Sequence, residues 1–158
     1  MKASRIRGAF CCLQMLSDHG VFRAPIQCSP MTLSHPSTND LSRRVIGAAI
    51  EVHRQLGPGL LESIYEECLH IELETLGLSV TRQASIPIVY KGHAIEAVYR
   101  PDLVVNKTII VEVKSVEKVL PVHKAQVLTY LKISSLPLGL ILNFNTEILA
   151  HGITRISL

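Results

Sequence analysis

Between Tyr99 and Ser115 the chain reads YRPDLVVNKTIIVEVKS. Two short runs rich in β-branched residues, Leu103–Val105 and Ile109–Val113, flank the turn formers Asn106-Lys107. That pattern predicts two strands joined by a tight turn. Charge interrupts both runs: Pro101-Asp102 in the first, Glu112 and Lys114 in the second. Ionisable groups in such apolar strands are costly unless they are paired or bind a cation. A divalent metal is the simplest partner for two carboxylates and a lysine that converge, and such a set suits phosphodiester hydrolysis.

Strand register makes this expectation specific. If Asn106-Lys107 were a two-residue hairpin turn, Asp102 would lie opposite Val111, and Asp102 and Glu112 would point to opposite faces. They share a face only if the loop is odd in length or a bulge intervenes. Pro101 cannot donate to a ladder and is at home beside a bulge. An irregularity between Pro101 and Thr108 is therefore expected. Glu112 and Lys114 share a face without such help.

Outward from this stretch, the periodicity predicts helices and strands. Asn39 or Asp40 can cap a helix from Leu41 to about Leu56, with Val45, Ile46, Ala49 and Val52 on one side. Gly57-Pro58-Gly59 breaks it, and a second helix runs from about Leu60 to Leu76, ended by Gly77. Ser79–Tyr90 reads as a long strand bent at Pro87. Lys91-Gly92-His93 is a turn, and Ala94–Val105 is the next strand. Pro121 opens a third helix to about Ile133. Leu138–Phe144 is a near-continuous apolar run, as in a strand buried on both faces. The segment Ile148–Ile156 leaves room for one more strand. The order ααβββαβ, with this extra C-terminal strand, is an α/β fold around a mixed sheet.

The 158 residues allow one domain, residues 39–158, behind a poorly ordered extension, residues 1–38. The extension holds Lys2, Arg5, Arg7 and Arg23 against Asp18 alone; beyond it, 12 basic and 12 acidic residues cancel. Affinity for nucleic acid would have to come from a local groove, supplied by Arg82, Lys91, Arg100, Lys118, Lys124 and Lys132. Lys2–Arg7 followed by Gly8–Leu16 has the outline of a signal peptide. However, the apolar part is short, is interrupted by Gln14, and lacks an A-x-A site. No run of eighteen apolar residues is present, so no membrane span is expected. Cys11, Cys12, Cys28 and Cys68 have neither CxxC nor zinc-site spacing, which points to a reduced, cytoplasmic setting.

Two helices carry further polar candidates. Gln126 and Tyr130, four residues apart, share a side of the third helix, with His123 one turn earlier. Glu62 sits in the first turn of the second helix, where the dipole favours a carboxylate, with Tyr65 and Glu66 one turn on.

The segment Gly59-Leu60-Leu61-Glu62-Ser63-Ile64-Tyr65 resembles the motif that names the GxxExxY proteins, a group placed in the PD-(D/E)XK nuclease superfamily. The resemblance extends through IGAAIEVHRQLGPGLLESIYE, YRPDLVV, IIVEVKSVEKV, AQVLTYL and NFNTEILAHGITRI, from about Leu41 to Leu158. It implies a restriction-endonuclease-like mixed sheet flanked by helices and a nuclease using Mg²⁺ or Mn²⁺ on DNA or RNA. It implies Asp102 and Glu112 as metal ligands, with the Val113 carbonyl a further one and Glu62 supplementing the site. Lys114 is implied to orient the attacking water. Gln126 and Tyr130 resemble the QxxxY helix motif of the RecB-like branch, which places substrate or lysine.

Plainer readings stand beside these. Asp102 could be a turn residue, and Glu112 and Lys114 a solvated edge. Glu62 and Glu66 could serve the helix dipole alone, and Tyr65 reads as a core aromatic. Gln126 and Tyr130 could be packing residues. His53 and His123 read as helix surface, and Cys68 as a small buried apolar residue. The rival functions are a non-catalytic module that binds nucleic acid or protein on the same fold, and an assembly protein pairing apolar strands. A chain this small has little room for its own targeting domain, so a homodimer or a protein partner is expected.

Overall fold

A computed structural model describes residues 37–158, with the backbone alone for residues 96–98. The extension expected over residues 1–38 lies almost wholly outside the described residues. Helix α1 spans Thr38–Leu56 and α2 spans Glu62–Thr75. Strands β1 (Val80–Arg82), β2 (Ile86–Tyr90), β3 (His93–Tyr99), β4 (Leu103–Val105) and β5 (Ile109–Lys114) follow. Helix α3 (Pro121–Ser134), β6 (Leu138–Asn143), a short 3₁₀ turn and β7 (Ile153–Ser157) complete the order.

Five strands form a mixed sheet ordered β1-β4-β5-β6-β7, and β2 pairs with β3 in a separate hairpin. Only β5 and β6 are parallel, with Glu112 opposite Ile141. A parallel pair needs a crossover, and α3 supplies it. Side chains alternate cleanly along the strands. Ile109, Val111 and Val113 of β5 pack with Leu138, Leu140 and Leu142 of β6 against Val45, Ala49, Tyr65 and Leu69 of α1 and α2. On the other face Ile110 and Ile141 meet Val127, Tyr130 and Leu131 of α3, with Val104 at the margin. The mixed α/β sandwich expected from the sequence is therefore present.

Several boundaries differ from expectation for physical reasons. Ser37, not Asn39 or Asp40, caps α1, accepting the Asp40 N–H on its hydroxyl at 3.1 Å. Leu60 lies outside α2, which begins only at Glu62 after Leu61 as cap residue. The expected strand Ser79–Tyr90 is two strands in two sheets, broken after Arg82 where Gln83 turns left-handed with φ 44°. The expected bend at Pro87 is present as a register shift between Pro87 and Ile88. Ala94–Val105 is likewise two strands, interrupted at Arg100–Asp102. Proline offers no N–H there to continue a ladder. Ile148–Leu158 contributes β7 on the far edge, antiparallel to β6. His53 is buried rather than on the helix surface; its Nε2 lies 2.7 Å from the Thr146 carbonyl oxygen.

One glycine sets how closely α3 approaches the sheet. A Cβ built on Gly139 of β6 would overlap Cγ1 of Val127, a fully buried β-branched side chain on α3. Val127 has little rotamer freedom with which to yield. Gly139→Ala is expected to destabilise the fold by about 1–3 kcal/mol. Gly47→Ala, within α1 and with nothing nearby, is expected to stabilise it by about 0.5–1 kcal/mol. Urea unfolding of both variants measures the contrast.

Candidate active site

The loop between β4 and β5 determines where the acidic residues point. Leu103 pairs with Val111 and Val105 with Ile109, so the loop holds three residues, Asn106, Lys107 and Thr108. Asn106 and Lys107 are both left-handed, with φ 48° and 52°. The Asn106 side chain accepts the Ser79 N–H at 2.8 Å, and its own N–H donates to the Ser79 carbonyl at 2.7 Å. Asparagine tolerates such a backbone better than most residues. The odd loop is the irregularity that the register argument required. One residue beyond Leu103–Val111, Asp102 falls opposite Glu112, on the α3 side of the sheet.

Glu112 is only 3% exposed. Its Oε1 accepts a hydrogen bond from Lys114 Nζ at 2.9 Å, while Oε2 is buried without a partner. A buried carboxylate oxygen left in this state is costly. Asp102 Oδ2 accepts the Val113 N–H at 2.7 Å, which ties it to the same strand end. Burial raises the Asp102 carboxyl to a pKa of about 7, and the neighbouring charge of Glu112 adds to the rise. The Val113 N–H and Lys114 oppose the rise without cancelling it. For Lys114, burial acts to lower the pKa, but the hydrogen bond and charge of Glu112, with Asp102 and Glu62 beyond, outweigh it. The net shift is upward, so Lys114 is a firmly protonated ammonium and a poor general base.

Glu62 approaches from the opposite helical layer. Its Oε1 accepts the Ser115 N–H at 2.8 Å and its Oε2 lies 4.0 Å from Lys114 Nζ. Lys114 thus stands between Glu62 and Glu112. From α3, Gln126 donates to the Tyr130 hydroxyl. Burial raises the Tyr130 pKa, the Gln126 bond lowers it, and Glu112 and Asp102 raise it further. The phenol therefore stays protonated beside the acidic cluster. Tyr99 packs edge-on against its ring, with centroids 5.3 Å apart.

The structure brings Asp102, Glu112, Val113, Lys114 and Glu62 together at the C-terminal end of β5, with Gln126 and Tyr130 beside them. Among the described residues no three His, Cys, Asp or Glu side chains converge closely enough to hold a metal by themselves. His123 uses Nδ1 to accept the Leu120 N–H at 3.2 Å, a helix-capping role. Two recesses of about 280 and 300 Å³ lie elsewhere, one between α1 and α2 and one beside Ile50 and Ile148. The site is located by its side-chain chemistry.

Sequence reasoning passed over two residues that brace this cluster, Ser115 and Asn143, and named a third, Glu66, without its partner. Ser115 joins the strand end to Glu62. Asn143, 3% exposed, accepts the Val116 N–H at 3.0 Å and donates to its carbonyl at 2.8 Å. A polar residue closing the apolar run Leu138–Phe144 was the available signal, since a buried amide must find partners. Glu66, also buried, takes the Arg82 guanidinium at 3.1 Å, and its charge reaches Asp102.

The framework is a mixed sheet with an acidic-x-lysine strand end and a second acid directly before the neighbouring strand. Residues 39–156 match the family model described as the PD-(D/E)XK nuclease superfamily, and the chain belongs to that superfamily. No curated protein and no solved structure matches the chain. No helix among the described residues is long and apolar enough to cross a membrane.

The elevated Asp102 pKa fixes a pH dependence. The native state binds a proton that the unfolded chain releases near its ordinary value of 3.8. Stability from this group is therefore fully present below that value and lost as pH rises towards and through about 7. Asp102→Asn is expected to flatten this slope in metal-free buffer and to raise the melting temperature at pH 8 by on the order of 5 °C. Thermal melts of both proteins from pH 4 to 8 measure the difference.

Proposed function

We propose that this domain is a metal-dependent nuclease that hydrolyses phosphodiester bonds in DNA or RNA. The observation that carries the reading is the buried, unpartnered Oε2 of Glu112 beside an Asp102 that burial and like charge hold near neutrality. Superfamily membership supports it, because such nucleases usually use divalent metals. The donor set is all oxygen, and its pair of adjacent carboxylates gains from a hard cation that keeps several waters. Asp102, Glu112 and the Val113 carbonyl would hold Mg²⁺ or Mn²⁺. When bound, such an ion lowers the pKa of its water and offsets charge on the phosphate.

The protein's own groups supply the remainder. Lys114, a protonated ammonium, orients the attacking water and stabilises developing negative charge at the phosphate by its fixed position. Glu62 and Glu112 hold that ammonium from two sides. Tyr130, oriented by Gln126, presents a neutral phenol as a hydrogen-bond donor. We assign the chain to the GxxExxY group and its QxxxY helix to the RecB-like branch, on the sequence segments from Leu41 to Leu158. Its partners are nucleic acid and a second copy or another protein.

Cleavage of labelled single- and double-stranded DNA and RNA with Mg²⁺ or Mn²⁺ tests the reading. Wild type is expected to cleave at least one polymer, with chelator abolishing activity. Asp102→Ala and Lys114→Ala are each expected to reduce cleavage by at least about 100-fold, the scale of losing one electrostatic stabiliser. Metal-independent thermal stability, together with no cleavage of any polymer, would favour a non-catalytic binding module on the same fold.

A further inference from the structure

Tyr65, the last residue of the Gly59–Tyr65 motif, is fully buried on α2. Its ring stacks on Phe144, with centroids 4.4 Å apart and planes 13° from parallel. A core aromatic needs nothing more, yet the hydroxyl also has two bonds. It donates to the Gly57 carbonyl at 2.6 Å and accepts the Leu60 N–H at 3.1 Å. The segment it grips is irregular, with Gly57 and Gly59 at φ 68° and 102°.

Both ends of Tyr65 lead to the backbone beside Lys114. The Phe144 N–H donates to the Lys114 carbonyl at 2.7 Å. The Leu60 carbonyl accepts the Ser115 hydroxyl at 2.8 Å, and the Ser115 N–H donates to Glu62. Tyr65, Leu60, Ser115 and Glu62 thus close a tethered circuit on one side of the strand end. The Tyr65–Phe144 stack holds the other side.

We infer that Tyr65 is a positioning residue for Lys114 and Glu62, acting through the Leu60–Ser115 tether as well as through its ring. The inference deepens the nuclease reading and rests on it for its effect on catalysis. Tyr65 touches neither substrate nor metal. Its hydroxyl fixes Leu60, Leu60 fixes Ser115, and Ser115 sets the distance between the Glu62 carboxylate and the Lys114 ammonium.

The test compares the full chain with Tyr65→Phe, Ser115→Ala, Ser115→Thr and the Tyr65→Phe/Ser115→Ala pair. Amide hydrogen exchange is read by NMR alongside metal-dependent cleavage. In Tyr65→Phe the Ser115 amide is expected to exchange about tenfold faster while Val111 in mid-strand is unchanged. The turnover number is expected to fall about 10–100-fold with KM unaltered, the usual range for residues that orient a catalytic shell. Ser115→Ala gives a similar fall, Ser115→Thr restores most of it, and the pair falls no further than the worse single variant. Unchanged Ser115 exchange in a folded Tyr65→Phe protein, or losses that multiply in the pair, overturns the inference. Should Tyr65→Phe fail to fold, Leu60 amide exchange in Ser115→Ala reads the same tether from its other end, and no acceleration there overturns it. A wild type that cleaves nothing, while Ser115 still loses protection in Tyr65→Phe, refutes the nuclease reading and leaves the tether standing.

Discussion

The register between β4 and β5 is the constraint on which the site depends. A slip of one residue would turn Asp102 towards the face where Val111, Val113, Leu140 and Leu142 pack against α1 and α2. A carboxylate there would enter the apolar cluster beneath α1 and α2. The register is set at the far end of the hairpin, by the two left-handed residues Asn106 and Lys107 and by the Asn106–Ser79 bonds. An asparagine in a turn thereby determines which residue lies opposite Glu112. Burial along β5 does not choose the register by itself, because Ile110 is as fully buried as Ile109, Val111 and Val113.

Electrostatics at the strand end follow from this placement. Lys114 compensates one negative charge and is itself raised in pKa by the acids around it. At Asp102 burial, with the charge of Glu112 added to it, outweighs Lys114 and raises the pKa to about 7. The helical layers make such a cost tolerable, since two apolar clusters sandwich the sheet on either side of the site. The polar braces are also economical. Glu62 and Asn143 satisfy the backbone of residues 115–116 where β5 ends and the chain turns towards α3. That turn carries the chain from Lys114 to the helix bearing Gln126 and Tyr130.

Much of this was legible in the sequence. The periods of α1 and α2 were plain because each helix buries one stripe, α3 was marked by Pro121 at its start, and the β5 and β6 runs were plain because those strands are buried on both faces. The Asp102–Glu112 parity problem was also visible, with an odd loop and a bulge beside Pro101 as its two solutions; the structure uses the odd loop. What could not be read was long-range pairing. Ser79–Tyr90 looks like one strand because its residues favour extended backbone throughout. Only pairing of Arg82 with Leu103, followed by the left-handed Gln83, divides it between two sheets. His53 followed the same pattern: its neighbour Arg54 is exposed, and its burial depends on Thr146, more than ninety residues away in sequence. Ser115 and Asn143 carry no local mark of their partners, and Tyr65 reads as an ordinary core aromatic because its hydroxyl's role lies in the loop before α2.

The charge balance links these pieces to substrate binding. Arg82, one of the cations available for a basic groove, is occupied by Glu66 and Glu67 on α2. The chain beyond residue 38 has equal numbers of acids and bases, so no broad positive field draws in a polyanion. The strand end concentrates Glu62, Asp102 and Glu112 around a single lysine, and phosphate approaching that set meets net negative charge. On the proposed reading, a bound divalent cation reverses this local sign. Metal and nucleic acid then bind with positive coupling, because each reduces the repulsion the other meets at the same carboxylates. Lys118 and Lys124, before and within the first turn of α3, are exposed. On that reading the domain gains affinity for a phosphodiester mainly when a cation is in place, which puts binding and cleavage under the control of the same two acids.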